Sequence, residues 1–124
     1  MNSFDLARAA AAAADHRGAH DVVLLDVSEI LTICDVFVVA SAPNTRLVAA
    51  AADEVEQRLF VEHGIKPAAV EGLDARRWVL LDYGDVIVHL FLDEEREYYR
   101  LERLYSDAPR VDWAPVAPGG TTTA

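Results

Sequence analysis

"RRWVLLDYGDVIVH", residues 76–89, sets the frame for the rest of the chain. Two apolar runs, about 77–82 and 86–92, flank Tyr83-Gly84. Glycine accepts the positive φ of a tight turn, so the stretch predicts a β-hairpin. Side-chain alternation puts Trp78, Leu80 and Asp82 on one face of the first strand and Arg77, Val79 and Leu81 on the other. On the second strand His89 shares a face with Ile87 and Phe91, opposite Val86, Val88, Leu90 and Leu92. The polar residues admit two readings: a catalytic site, or the rim of a surface that another macromolecule reads.

Upstream, "HDVVLLDVS" (20–28) and "TICDVFVVASA" (32–42) read as strands, the second apolar on both faces. Such runs suit the middle of a sheet covered on each side. Ser3 can cap a first helix over about residues 4–17, with Gly18 as its stop. A second helix runs from Asn44 or a neighbour to about His63, burying Leu47, Val48, Ala51, Ala52, Val55 and Leu59. Gly64 is its expected C′ residue, and Pro67 forbids continuation. "PAAVEG" (67–72) reads as a short strand.

Downstream, Asp93 is the expected cap of a third helix whose first turn holds Glu94 and Glu95, carboxylates that complement the helix dipole. Tyr98, Leu101 and Leu104/Tyr105 form the stripe expected to pack inward. Residues 1–107 thus make one domain, and 108–124 a Pro/Gly/Thr-rich flexible tail with Val111 or Trp113 as its candidate anchor. The order α-β-β-α-β-β-β-α predicts an α/β fold of the α+β kind, a mixed five-stranded sheet with helices packed on its faces.

The 124 residues fit one domain with a single core, since 52% are hydrophobic. Cys34 is the one cysteine, which excludes an internal disulfide framework and suits a reducing compartment. "SFDLARAAAAAADHRG" near the N-terminus lacks a basic region followed by a leucine-rich one, so neither a secretory signal nor a membrane span is expected. The expected location is the cytoplasm. Net charge is -10, with 21 acidic against 11 basic side chains. Such a chain is poorly supplied to neutralise phosphates, so no direct grip on nucleic acid is expected, and its charge steers it toward a basic partner.

The candidate chemistry is thin. Asp82 and Asp85 bracket the hairpin turn, but two carboxylates without further ligands make a weak metal site and ordinary turn chemistry. His89 reads as a packing residue, and no spacing joins the four histidines into a zinc site. Cys34 reads as core beside an acid, not as an activated thiol. "ASAPNTR" (40–46) hands a strand to a helix N-terminus, where Ser41, Asn44, Thr45 and Arg46 suit either an anion or an ordinary cap. No catalytic residue, metal or cofactor is assigned. Trp78 fits the core or, beside Arg76, Arg77 and Tyr83, an interface hot spot.

Several blocks together resemble the ribosomal silencing factor (Iojap) family: "LDVSEILTICDVFVVASAPNTR" (25–46), "RRWVLLDYGDVIVHLF" (76–91) and "EEREYYRLERLY" (94–105). The resemblance implies a protein that binds the large ribosomal subunit through its fourteenth protein. There it would block joining of the small subunit and repress translation when nutrients are short. It also implies paired subunits and a nucleotidyltransferase-like topology. The transferases need a Gly-Ser helix entry and alternate strand carboxylates, whereas this chain reads "SAPNT" and has Phe37 two residues after Asp35. The family's characteristic hairpin positions fall on Trp78, Asp82, Gly84, Asp85 and His89, and its helix positions on Glu95, Arg96, Tyr99 and Leu101. For partner contact the residue chemistry favours Arg77, Trp78, Tyr83 and Asp85, with Glu94 and Glu95 as charge complement. The rival readings are a nucleotidyltransferase-like enzyme and a homodimeric adaptor unconnected with ribosomes.

Overall fold

The computed structural model describes residues 1–113. Helix α1 (Ser3–His16) and strand β1 (His20–Asp26) lead into β2 (Val36–Ala42) and helix α2 (Thr45–His63). Strands β3 (Ala69–Glu71), β4 (Trp78–Asp82) and β5 (Val86–Leu92) follow, then α3 (Asp93–Tyr99), α4 (Leu101–Leu104) and β6 (Arg110–Val111). The strands form one mixed sheet in the order β3-β4-β5-β2-β1-β6. Only β2 and β5 run parallel; the other neighbours are antiparallel.

The predicted hairpin is β4–β5, in register from Trp78 opposite Phe91 to Asp82 opposite Ile87. The sheet has six strands, one more than the five expected. The sixth, Arg110–Val111, pairs with Leu24 and Leu25 of β1, so the chain returns to the sheet after residue 107. A two-residue strand is too short to show periodicity. Val111 and Trp113 pack on the core as the candidate anchors of this segment. The rest of the expected tail, residues 114–124, lies outside the described residues.

One face of the sheet is sealed. Val36, Val38 and Ala40 of β2, with Val86, Val88 and Leu90 of β5, lie under α1 and α2 and are almost wholly inaccessible. The alanines of α1 let it sit close to the sheet: Ala7, Ala10, Ala11, Ala13 and Ala14 are fully buried. Helix α2 has the ends its sequence announces. Asn44 accepts from the Leu47 amide at 2.9 Å, and Gly64 closes the helix at φ 68°.

Four local expectations change. Asp93 is the first residue of α3 and not its cap: Leu92 holds that place without a side-chain bond, and the Asp93 carboxylate lies 2.8 Å from His20 Nε2. Asn2, not Ser3, caps α1 through the Asp5 amide, because the Ser3 hydroxyl is drawn to the Asp35 carboxylate at 2.7 Å. Strand β2 begins at Val36, so Cys34 sits in the preceding turn, buried against the Val36 and Asp85 carbonyls. The third helix is broken. Arg100 takes φ 48° and ψ 56°, splitting it into α3 and α4 and turning Tyr98 and Leu104 outward, 78% and 74% exposed. Of the expected inward stripe, Leu101 is buried and Tyr105 half-buried.

Candidate functional site: the second face of the sheet

The opposite face carries Phe37 and Val39 of β2, Trp78 and Leu80 of β4, and Ile87, His89 and Phe91 of β5. Among the described residues, the short α3–α4 segment with Ala108 after it and the turn before β2 roof it. Its chemistry is therefore aromatic and incompletely covered: Trp78, Leu80 and Ile87 stay half-buried.

The approach to Trp78 is tightly built. Gly72 holds φ 89°, and a Cβ there would lie 2.0 Å from the Trp78 carbonyl oxygen, so no other residue fits. The Arg76 amide then donates to the Gly72 carbonyl at 2.9 Å, and the chain enters β4 with the indole turned onto the open face. Trp78 Nε1 donates to His89 Nδ1 at 3.1 Å. The indole also packs 4.8 Å, centroid to centroid, from both Phe91 and Tyr99. Because Nδ1 accepts, the neutral His89 ring carries its proton on Nε2. That nitrogen is buried without a hydrogen-bond partner. Burial pushes His89 down to about 4, so the ring is neutral at physiological pH. It is a packing residue, as its strand position predicts, wedged beside Phe37 at 4.6 Å.

The other expected contact residues separate. Arg77 forms a close ion pair with Glu95 and lies 4.0 Å from Glu94. Glu95 is thereby mostly covered and pins α3 to β4, leaving Glu94 as the exposed carboxylate of that turn. Asp85 is exposed at the hairpin tip, where its carbonyl accepts from the Asp35 and Val36 amides. Tyr83 does not join Trp78. It packs with the core under α2, its hydroxyl buried and unpartnered, and burial with Glu56 nearby raises its pKa. The turn sends its ring to the sealed side, where apolar area is available.

Asp82 serves the turn, accepting from the Gly84 amide at 2.8 Å. Among the described residues no group of three or more His, Cys, Asp or Glu side chains comes together to hold a metal ion. The "ASAPNTR" stretch is divided between faces. Asn44 caps α2, while Ser41 is buried on the second face and accepts from Arg96 at 3.0 Å. Arg96 also grips Glu102 at 2.6 Å, and despite burial this pairing holds the Glu102 carboxyl below the usual carboxylate range. Sequence reading missed this network, because Ser41 lies 55 residues from Arg96 and the break at Arg100 that lets Glu102 turn back to Arg96 has no glycine or proline to mark it. Among the described residues no helix is long and apolar enough to cross a membrane.

These features define a single α+β domain with one sealed sheet face and one open, aromatic face. The family model described as "Ribosomal silencing factor during starvation" matches residues 1–123, and the chain belongs to that family. It is 41% identical over 112 residues to the ribosomal silencing factor RsfS of Bacillus subtilis, covering 90% of this chain and 94% of that one. Its fold is similar to a crystal structure of a Chromobacterium violaceum protein, with TM-score 0.81 and 31% identity over 94% of this chain and 96% of that one. A Bacillus halodurans structure superposes with TM-score 0.75 and 37% identity, covering 87% and 97%.

Proposed function

We propose that the protein docks through the open face of its sheet onto the large ribosomal subunit, by way of that subunit's fourteenth protein. Occupying the face where the small subunit would join, it represses translation by steric block when nutrients are short. No bond is made or broken. The observation that carries this reading is Trp78: a half-buried indole, fixed by His89, Phe91 and Tyr99, on sheet area that the short α3–α4 roof covers incompletely among the described residues. A rigid aromatic of this kind suits an interface hot spot. Family membership supports the ribosomal setting, and a net charge of -10 favours a basic ribosomal protein as the surface gripped. Arg77 flanks the anchor, Glu94 and Asp85 offer exposed carboxylates, and Glu95 acts by holding Arg77. The protein works in the cytoplasm.

Co-sedimentation with purified large subunits tests the proposal. The wild-type chain should travel with them, and its absence from that fraction sinks the reading. Trp78→Ala should weaken binding by about 2–4 kcal/mol while still melting cooperatively. If that variant unfolds, Leu80→Ala on the same face replaces it in the same assay.

A second reading rests on the exposed apolar residues that border this face. Tyr98, Leu104 and Ile33 (82% exposed) would suit a second copy of the chain. Pairing through the same surface would compete with docking. Added large subunits should then convert dimer to monomer in analytical ultracentrifugation; a dimer that persists on the ribosome argues for a different pairing surface.

A further inference from the structure

A second concentration of charge lies at the β1–β6 edge, on the far side of α3–α4 from Trp78. It is a groove of about 1070 Å³ lined by Arg96, Arg100, Arg103 and Arg110, four of the chain's 11 lysines and arginines. Four carboxylates line it too, two paired with arginines and two beside His20, whose ring when neutral has one N–H to donate. Asp93 and Asp21 lie 2.8 and 3.0 Å from the two ring nitrogens of His20. Glu97 accepts from Arg100 at 2.8 Å, and Glu102 from Arg96. Arg103 and Arg110 are left over: neither forms an ion pair with a described residue, and Arg110 acts on Glu102 only through space.

The backbone around the groove is unusual in the same place. Among the described residues three non-glycine positions have positive φ, and two of them, Asp21 (52°) and Arg100 (48°), line this groove. Side-chain-bearing residues enter that region at a cost, and such strain gathers where a site is built. The Arg100 turn is what brings Arg103 and Arg110 to one opening, with Ser106 and Tyr105 between them in the chain. On a molecule of charge -10, the groove sets four arginines against four acids, so an incoming anion meets no excess of negative charge there.

We propose that this groove is a phosphate-binding site, clamped by the Arg103 and Arg110 guanidiniums with the Ser106 hydroxyl as a further donor. The planar guanidinium fork matches phosphate oxygens two at a time. The ligand is a free oligophosphate or the phosphodiester backbone of RNA, which share that chemistry. The site lies at the β1–β6 edge of the same sheet face, away from Trp78, and its test does not depend on the docking proposal.

NMR titration of the isotopically labelled full chain separates the outcomes, with inorganic pyrophosphate in one arm and a short single-stranded RNA in the other. The expected result is movement of the Arg103 and Arg110 side-chain N–H signals, with affinity falling about tenfold or more in the Arg103→Gln/Arg110→Gln double variant. A response to pyrophosphate identifies a free oligophosphate; a response to RNA alone identifies the phosphodiester backbone. Silence in both arms, or an affinity unchanged in the double variant, overturns the proposal. Both side chains are exposed, so the variant should melt with the wild type. Should it melt early, Arg103→Gln alone carries the comparison.

Discussion

The two faces of this sheet are made from the same strands, yet they end in different states. On one, aliphatic side chains of β2, β4 and β5 meet an unbroken α2 and an alanine-lined α1, and water is excluded. On the other, rings alternate with those aliphatics, and the roof is a seven-residue helix followed by a four-residue one. Coverage, more than composition, separates them. A 19-residue helix with proper caps can blanket a sheet, whereas the break at Arg100 leaves Trp78, Leu80 and Ile87 half-open. One face stores stability; the other is left with apolar area to offer a partner.

Four measurements can break that contrast or sharpen it. The largest effect belongs to the sealed face: Leu81→Ala, at a wholly buried site, should cost about 2–5 kcal/mol in urea unfolding. A loss below about 1 kcal/mol would show that α2 does not seal it.

Next comes pH. His89 titrates near 4 in the folded protein, below the ordinary value of about 6.5. The unfolded chain therefore takes up a proton that the folded chain refuses. This contribution is complete above about pH 6.5 and erodes as pH falls toward 4, with about 2 kcal/mol of it lost by pH 5. The urea midpoint of wild type should fall relative to that of His89→Phe as pH drops over this window; parallel curves would mean that His89 is hydrated on the open face.

A smaller effect tests Tyr83. Removing its buried, unpartnered hydroxyl with Tyr83→Phe should leave stability unchanged or raise it by about 1 kcal/mol, with large-subunit binding intact. Lost binding would return Tyr83 to the docking surface. Smallest of all, Arg77→Ala removes a surface ion pair and should cost under about 1 kcal/mol of stability. Its effect on binding should exceed that of Glu95→Ala only if Arg77 itself touches the partner.

What could be read from the chain was mostly local. The Asn44 cap, the Gly64 stop and the β4–β5 hairpin each depend on residues a few positions apart, and all three stand as expected. Alternation along β5 also placed His89 correctly beside Ile87 and Phe91. Where the expectation failed, the deciding partner was distant. No glycine or proline marks the break at Arg100, and the Arg96 contact with Ser41 that helps hold this region spans 55 positions. Ser3 left its capping role for Asp35, 32 residues away.

The candidate site divides the same way. Residue chemistry singled out Trp78 as either core or anchor, and family resemblance pointed to the ribosome. Neither could separate Trp78 from Tyr83, because a turn residue's side depends on which surface has room for its ring. Strand periodicity, caps and turn glycines act within a few residues, so the amino-acid order alone carries the elements and their inward faces. How completely a face is covered, and which charges are left unpaired beside it, depends on pieces that meet only when the chain has folded.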